Sequence, residues 1–432
     1  MRKTHLYYDK NRDNFGPAII SLQIALRADG NDFRTWTRLG EAYAKSGRPV
    51  AALKALAHAA SISPDEWTCA FLMGVVHHQM GQYELAITKY EQILVHHPDE
   101  PGVLLSLADA FLALGRSQFS TGFITRSDSS FASSIAICLG AIDASTSFRR
   151  VAWKTVADAL FELSKTAVFA NEEVVRDAVL RLCKALIFDG DGSPLERTIS
   201  GVGTYTSIAS RLEENVGGRT VLWLAAAAYQ FRVELCDHDD DTHASALFDF
   251  SVVLHRAASN GQKDDQDVIL DQAGEALKLA LKKDPSNELF WNALGTINFE
   301  RNPKLAQHSY IRALELDPKV RFSSWTFVLG FLFHVLQSAT IWTNLGLFYL
   351  HHGSPELSNS ALYRAQILDP ECSLAWVGQA FVAIVNGHAP EAKSLLEHAI
   401  SLLPPIVSVQ KRCRHKVLIL RVVVATSRVC LL

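Results

Sequence analysis

Carboxylates and imidazoles cluster at one place in the sequence, between Asp237 and His243. Such side chains bind calcium or zinc, but this segment lacks the glycine and the final glutamate of a calcium-binding loop. The adjacent histidine pairs at 77–78, 96–97 and 351–352 would point about 100° apart on a helix, so neither member is well placed to share an ion with the other. We therefore interpret these residues as structural or solvent-facing and predict no metal site.

Motifs for nucleotide, peptide or ester chemistry are missing from the sequence. It contains no Gly-x-x-x-x-Gly-Lys-Ser/Thr loop, no His-Glu-x-x-His and no Gly-x-Ser-x-Gly. Gly201 and Gly203 resemble part of a dinucleotide loop, but the third glycine is absent and no strand is expected before them. We predict that the chain is not an enzyme and has neither catalytic residues nor a cofactor.

Composition points to a soluble protein without a general affinity for nucleic acid. The 42 basic and 45 acidic residues leave a net charge of −3, so there is no global basic field for phosphate backbones. Seven cysteines without a Cys-x-x-Cys spacing are typical of a reduced, intracellular protein. The longest apolar run, 327–336, is far shorter than the roughly 18 to 20 residues of a membrane span. We expect a cytoplasmic protein with no membrane contact, and a nuclear pool is compatible with the same features.

A 34-residue period dominates the chain and is typical of tetratricopeptide repeats, in which each repeat is a pair of antiparallel helices. Four kinds of residue recur in phase in the first array: a large aromatic, a small residue beside it, a small residue in the second helix and a closing proline. The first set is Trp36, Gly40, Ala52 and Pro64. Glycines at 47, 81 and 115 are interpreted as the turns between paired helices. A second array repeats the pattern; its markers include Trp291, Gly295, Pro318, Trp342, Gly346, Pro370, Trp376 and Pro404. We predict an all-α fold, a right-handed superhelix of stacked helix pairs.

The phase of the repeats divides the chain into four parts. Residues 1–120 form an N-terminal array that starts mid-array, and 121–265 hold stretched, irregular helical repeats with a glycine-rich loop near 189–218. Residues 266–404 form a C-terminal array, and 405–432 are a tail that loses the repeat phase.

The C-terminal array is interrupted by about 18 extra residues near 321–338, where a six-residue step between repeats is expected. The insertion is either an inserted helix or an untranslated segment that was read through. The tail is consistent with an altered reading frame or a truncated end.

Two surfaces could bind a partner. Arg34 and Arg38 resemble the basic clamp with which some repeat domains hold a peptide carboxylate, but the partner asparagines are missing. An asparagine ladder for peptide backbones is also absent, since the equivalent positions read Arg38, Leu72, Ser106, Ala293, Asn344 and Gly378. The last repeats instead carry apolar residues where the concave face is expected. We name as candidate partner-binding residues Leu347, Leu350, Leu374, Val377, Phe381 and Ile384; the alternative is that neighbouring repeats cover them.

Two segments and the spacing of the arrays resemble the tetratricopeptide scaffold subunit of the superkiller complex. The segments are Trp-Lys-Thr-Val-Ala-Asp-Ala-Leu at 153–160 and Trp-Thr-Asn-Leu-Gly-Leu-Phe-Tyr at 342–349. The resemblance covers 33–404 without the insertion. It implies a non-catalytic cytoplasmic scaffold that holds an RNA helicase and a WD-repeat protein for messenger RNA decay by the RNA exosome, with RNA contacted only indirectly. A generic adaptor for short peptides, such as a cochaperone or targeting factor, is the alternative, and an enzyme carrying a repeat domain is a third.

Overall fold

The computed structural model describes residues 15–166, 168–187, 197–259, 263–316 and 328–402. Within these ranges the chain forms 19 α-helices, one 3-10 helix and a single hairpin of two-residue strands. The predicted all-α repeat fold is therefore confirmed. The chain divides into two units, one from Met1–Ser117 with Thr125–Leu186 and the other from Gln118–Ile124 with Ile187–Leu432. The four-part division expected from the repeat phase stays a prediction.

The helices up to residue 187 are, in chain order, α1 (Phe15–Ala28), α2 (Phe33–Lys45), α3 (Pro49–Ile62), α4 (Trp67–Gln79), α5 (Tyr83–Leu94), α6 (Pro101–Thr121), α7 (Ile124–Ala144), α8 (Arg149–Leu163) and α9 (Glu172–Ile187), with a 3-10 helix at Thr146–Phe148. The later elements are β1 (Thr198–Ile199), β2 (Gly203–Thr204), α10 (Tyr205–Glu214), α11 (Gly218–Leu235), α12 (Asp240–Ser259), α13 (Lys263–Lys283), α14 (Glu288–Ile297), α15 (Pro303–Leu316), α16 (Val328–His351), α17 (Pro355–Leu368), α18 (Ser373–Val385) and α19 (Ala389–Ser401).

Small residues let the two helices of each pair approach closely, as the sequence predicts. A Cβ atom placed on Gly74 of α4 would lie 2.5 Å from the ring of Tyr90 on α5, and one on Gly40 would lie 2.6 Å from Leu56. The second array repeats this arrangement, because a Cβ on Gly295 would lie 2.6 Å from Tyr310. Since real Cβ atoms essentially never come so near, these positions require glycine at the observed spacing.

Most of the turn glycines also lie where they are expected, with one exception. Gly47 has φ of 73° and lies in the left-handed region, which a residue with a side chain rarely adopts. Gly115 was expected to form the same kind of turn, and this prediction is wrong. The residue lies inside α6, which continues to Thr121, and a Cβ on it would meet Phe131 at 2.6 Å. Gly115 therefore serves close helix packing.

Three of the tryptophans that open repeats are hydrogen-bonded to the turn before them. The indole Nε1 of Trp36 donates to the carbonyl oxygen of Gly30 at 2.8 Å, and that of Trp376 donates to Pro370 at 2.9 Å. Trp291 makes the equivalent bond to the carbonyl six residues earlier, also at 2.9 Å. The six-residue step between repeats is thus tied to a specific contact.

The glycine-rich segment 189–218 was predicted to be a loop, and this is wrong for its described part, which begins at residue 197. Residues 198–204 form the hairpin, in which Thr198 pairs with Thr204, and α10 follows directly. The short strand β1 also precedes Gly201, where none was expected. The reason is burial: Ile199 and Val202 are 0% and 5% exposed, so the hairpin packs as part of the core.

The predicted insertion lies only partly within the described residues. From Val328 the segment is helical and continues without a break into the helix that contains Trp342. Residues 317–327 and the tail from 403 onward lie outside the described ranges, so the two interpretations of the insertion stay open. No helix in the described ranges is both long enough and apolar enough to cross a membrane.

Candidate functional site

The six candidate residues lie on two neighbouring helices of the second unit. Leu347 and Leu350 are on α16, and the other four are on α18. Leu374 is 43% exposed, whereas Val377 is only 7% exposed and offers little surface. The remaining four are half-buried. Together these six residues form the apolar face.

Two glycines bring the helices that carry the apolar face together. Leu362 of α17 is fully buried, and Cβ atoms on Gly346 and Gly378 would lie 2.7 and 2.8 Å from its side chain. The Cβ atom placed on Gly378 would also lie 3.4 Å from Cδ2 of Leu347. Leu347 therefore fills the seam between α16 and α18, so the apolar face runs across both helices.

Most of the apolar face lies on a helix without charged side chains. Helix α18 contains no charged residue along its 13 positions. Gln379 of this helix accepts a hydrogen bond from Gln366 at 2.9 Å and donates one to Asn359 at 3.3 Å. A partly exposed apolar surface beside satisfied polar groups suits a partner that buries it. That the apolar face binds a partner stays a prediction.

The candidate peptide-binding residues have other surroundings. Arg34 and Arg38 are exposed on α2. Asn344, one of the ladder positions, donates through Nδ2 to the Oδ1 atom of Asn292 at 3.0 Å and so links α16 to α14. A side chain used in this way is less available to a peptide backbone.

A lysine holds together the acidic segment between Asp237 and His243. Nζ of Lys283 lies 2.9 Å from Asp240 Oδ1 and 2.8 Å from His243 Nδ1. The Lys283 hydrogen bond lowers the pKa of Asp240, and burial, followed by the Lys283 charge, lowers the pKa of His243. Among the described residues, no group of three or more His, Cys, Asp or Glu side chains is arranged to hold a metal ion.

Sequence reasoning missed a cavity beside Trp223. It has a volume of about 240 Å³ and is lined by residues of the hairpin, α10, α11 and α13: Gly201, Val202, Arg211, Arg219, Trp223, Asp265 and Ile269. The guanidinium carbons of Arg211 and Arg219 lie 4.7 and 5.1 Å from the centre of the Trp223 ring. The repeat pattern gives no signal for it, since the two arginines fall outside the packing positions.

Models of known families match two segments of the first unit. Both are described as tetratricopeptide repeats, and they cover residues 33–66 and 71–118. These segments are tetratricopeptide repeats. Their bounds enclose the pair α2 and α3 and most of the helices from α4 to α6, in which the close glycine contacts occur.

Curated relatives carry the superkiller name, which bears out the resemblance stated from the sequence. Superkiller protein 3 of Schizosaccharomyces pombe is 28% identical over 292 residues, covering 66% of this chain and 20% of that protein. Superkiller complex protein 3 of Mus musculus is 26% identical over 375 residues, covering 85% of the chain and 21% of that protein. The chain spans about a fifth of the length of these relatives. Among solved structures, MamA aligns over 45% of the chain and 93% of its own length, with 16% identity and a TM-score of 0.31.

Proposed function

We propose that this tetratricopeptide chain is a non-catalytic scaffold segment of a superkiller-type complex. It would hold an RNA helicase and a WD-repeat protein and so support messenger RNA decay by the RNA exosome in the cytoplasm. The helices supply binding surface, and the partners supply the chemistry. RNA would be contacted through the partners and not by the chain itself.

The observation that carries the proposal is the similarity to superkiller protein 3, which extends over 66% of the chain in the yeast relative and 85% in the mouse relative. Physical features support a protein partner. Stacked helix pairs present long surfaces that suit protein binding. The apolar face adds a patch whose burial by a partner is favourable by about 25 cal/mol for each Å².

The alternative function is an adaptor that binds short peptides. That function relies on polar side chains that bind a peptide carboxylate or backbone. Asn344 is engaged with Asn292, and no second asparagine occupies the ladder positions. The scaffold is therefore the better supported of the two.

The experiment is affinity purification of the chain from its source cell, followed by mass spectrometry. We expect an RNA helicase and a WD-repeat protein to be recovered together after a high-salt wash, because apolar contacts are not weakened by screening. Recovery of chaperones alone would favour the adaptor. Recovery of neither would contradict both functions.

The same purification tests the apolar face. We expect Phe381→Glu and Leu374→Glu to abolish partner capture, because each would bury an uncompensated carboxylate in the contact. Leu374 is the gentler test for folding, since it is 43% exposed in the chain alone. Leu357→Glu is the matched control: that leucine is 53% exposed on α17, outside the face. Loss of helicity in Leu374→Glu, or capture unchanged in both face variants, would refute the assignment.

A further inference from the structure

The cavity beside Trp223 is lined by two arginines that have no carboxylate partner among the described residues. Arg211 makes one weak hydrogen bond, from Nη1 to the carbonyl oxygen of Val202 at 3.5 Å, and Arg219 is held by the Trp223 ring. Stacking on an aromatic face fixes a guanidinium while leaving its N–H groups free in the plane. Both side chains are exposed, so these donors face solvent.

We propose that this cavity binds an acidic side chain of a partner protein. The two guanidinium groups offer the planar forks that match a carboxylate. Asp265 also lines the cavity, so the lining carries one net positive charge and favours a single anionic group. Ile269 and Val202 add apolar surface for the neighbouring part of the ligand. This ligand chemistry does not depend on which partner binds, so the cavity has a role beyond that of the scaffold.

The size and charge of the cavity favour a side chain over other anions. About 240 Å³ is below the 300 to 1,000 Å³ that is typical of small-molecule sites. Nucleic acid gains its affinity from many phosphates along a basic groove. This cavity instead has two arginines and one opposing aspartate, and the whole chain has a net charge of −3. It therefore does not resemble a basic groove for nucleic acid.

The hairpin gives the cavity its shape. Gly201 has φ of 77°, and a Cβ on it would lie 2.6 Å from Cγ1 of Ile269 on α13. The turn therefore lies directly on α13 and closes one side of the cavity. Because Ile199 is fully buried, the hairpin is anchored in the core and holds Val202 in place beside Arg211.

The test compares binding of the whole chain to fluorescent peptide libraries with a fixed central residue. The libraries carry Glu, Gln or phosphoserine at the centre and random residues around it, and a short oligouridine is measured beside them. We expect the Glu library to bind more tightly than the Gln library. The double variant Arg211→Gln with Arg219→Gln should reduce this preference about tenfold, which is the factor that one charge-assisted hydrogen bond supplies.

Two further variants make the result specific. Arg364→Gln is the matched control, because its guanidinium also stacks on a tryptophan, 5.3 Å from the Trp342 ring, in the same unit but not in the cavity. It should leave the preference unchanged. Asp265→Asn removes the opposing charge and should strengthen binding of the Glu library.

Three outcomes would overturn the inference. The first is equal binding of the Glu and Gln libraries by the unaltered chain. The second is a preference that survives the double variant with helicity intact. The third is binding of oligouridine alone that the double variant abolishes, which would assign the site to a phosphodiester. Failure here would leave recovery of the helicase and the WD-repeat protein unaffected, so the two proposals can be separated.

Discussion

Replacing Gly74 with alanine probes the closest contact in a repeat. A Cβ at this position would lie 2.5 Å from Cε1 and 2.9 Å from Cζ of Tyr90. The tyrosine ring cannot easily move away, because it is 2% exposed and packs against Phe71 at a centroid distance of 5.8 Å. The added methyl group must therefore push α4 and α5 apart or force the ring out of its position.

Two effects of opposite sign determine how much Gly74→Ala changes the free energy of unfolding. Forcing a methyl group into a packed core costs about 1 to 3 kcal/mol. Replacing glycine by alanine inside a helix stabilises the helix by about 1 kcal/mol. We expect Gly74→Ala to lower the free energy of unfolding by up to about 2 kcal/mol. Gly140→Ala on α7 is the matched control, since its Cβ would meet nothing within 4 Å; it should raise stability by about 1 kcal/mol.

The assay is urea unfolding followed by helical circular dichroism, with all variants at one protein concentration. The midpoint should fall for Gly74→Ala and rise for Gly140→Ala, although the chemical change is the same. A second test adds Tyr90→Ala, which should reduce the penalty at position 74, because the overlapping ring is gone. If Gly74→Ala stabilises the protein as much as the control does, the close approach of the two helices is refuted.

Two other predictions concern the turn contact and a buried carboxylate. Trp376→Phe keeps an aromatic ring but removes the indole N–H, its hydrogen bond to Pro370 and part of the ring packing, so the unfolding free energy should fall by at least about 1 kcal/mol; an unchanged urea midpoint would contradict the role of this contact. Asp128 is buried, accepts a hydrogen bond from the Ala170 amide at 2.9 Å, and has its pKa raised by burial. Its stabilising contribution is therefore present at low pH and lost as pH rises through the folded-state pKa. Asp128→Asn keeps an acceptor without titrating, so its stability relative to the unaltered chain should grow as the pH rises from the ordinary carboxyl pKa of about 4 through the raised folded-state pKa; a difference that stays constant with pH would argue against the raised pKa.

The repeat core could be predicted from sequence because its contacts lie at fixed spacings. Gly40 and Leu56 are 16 residues apart, as are Gly74 and Tyr90, so the same frame positions meet in these two pairs. The 34-residue period gives a wrong turn position where a helix is longer than the repeat expects. Gly115 follows Gly81 by 34 residues and therefore has the phase of a turn, but nothing breaks the helix there and α6 continues to Thr121.

The hairpin and the cavity could not be predicted, because they depend on contacts without a period. Ile199 and Val202 are two apolar residues among glycines, and only their packing in the core makes the segment ordered. Arg211 and Trp223 belong to different helices, and their stacking follows from the way α10 folds back on α11. The sequence also placed Val377 on an open face, whereas α18 turns this residue into the packed interior.

We propose that this chain is a scaffold that holds protein partners. Native mass spectrometry of the assembly purified through the chain tests it most directly, because it reports which proteins are bound in the same particle. We expect a particle whose mass contains the chain together with an RNA helicase and a WD-repeat protein, and whose partners dissociate in the Leu374→Glu variant. Particles that contain the chain alone, or the chain with chaperones only, would contradict it.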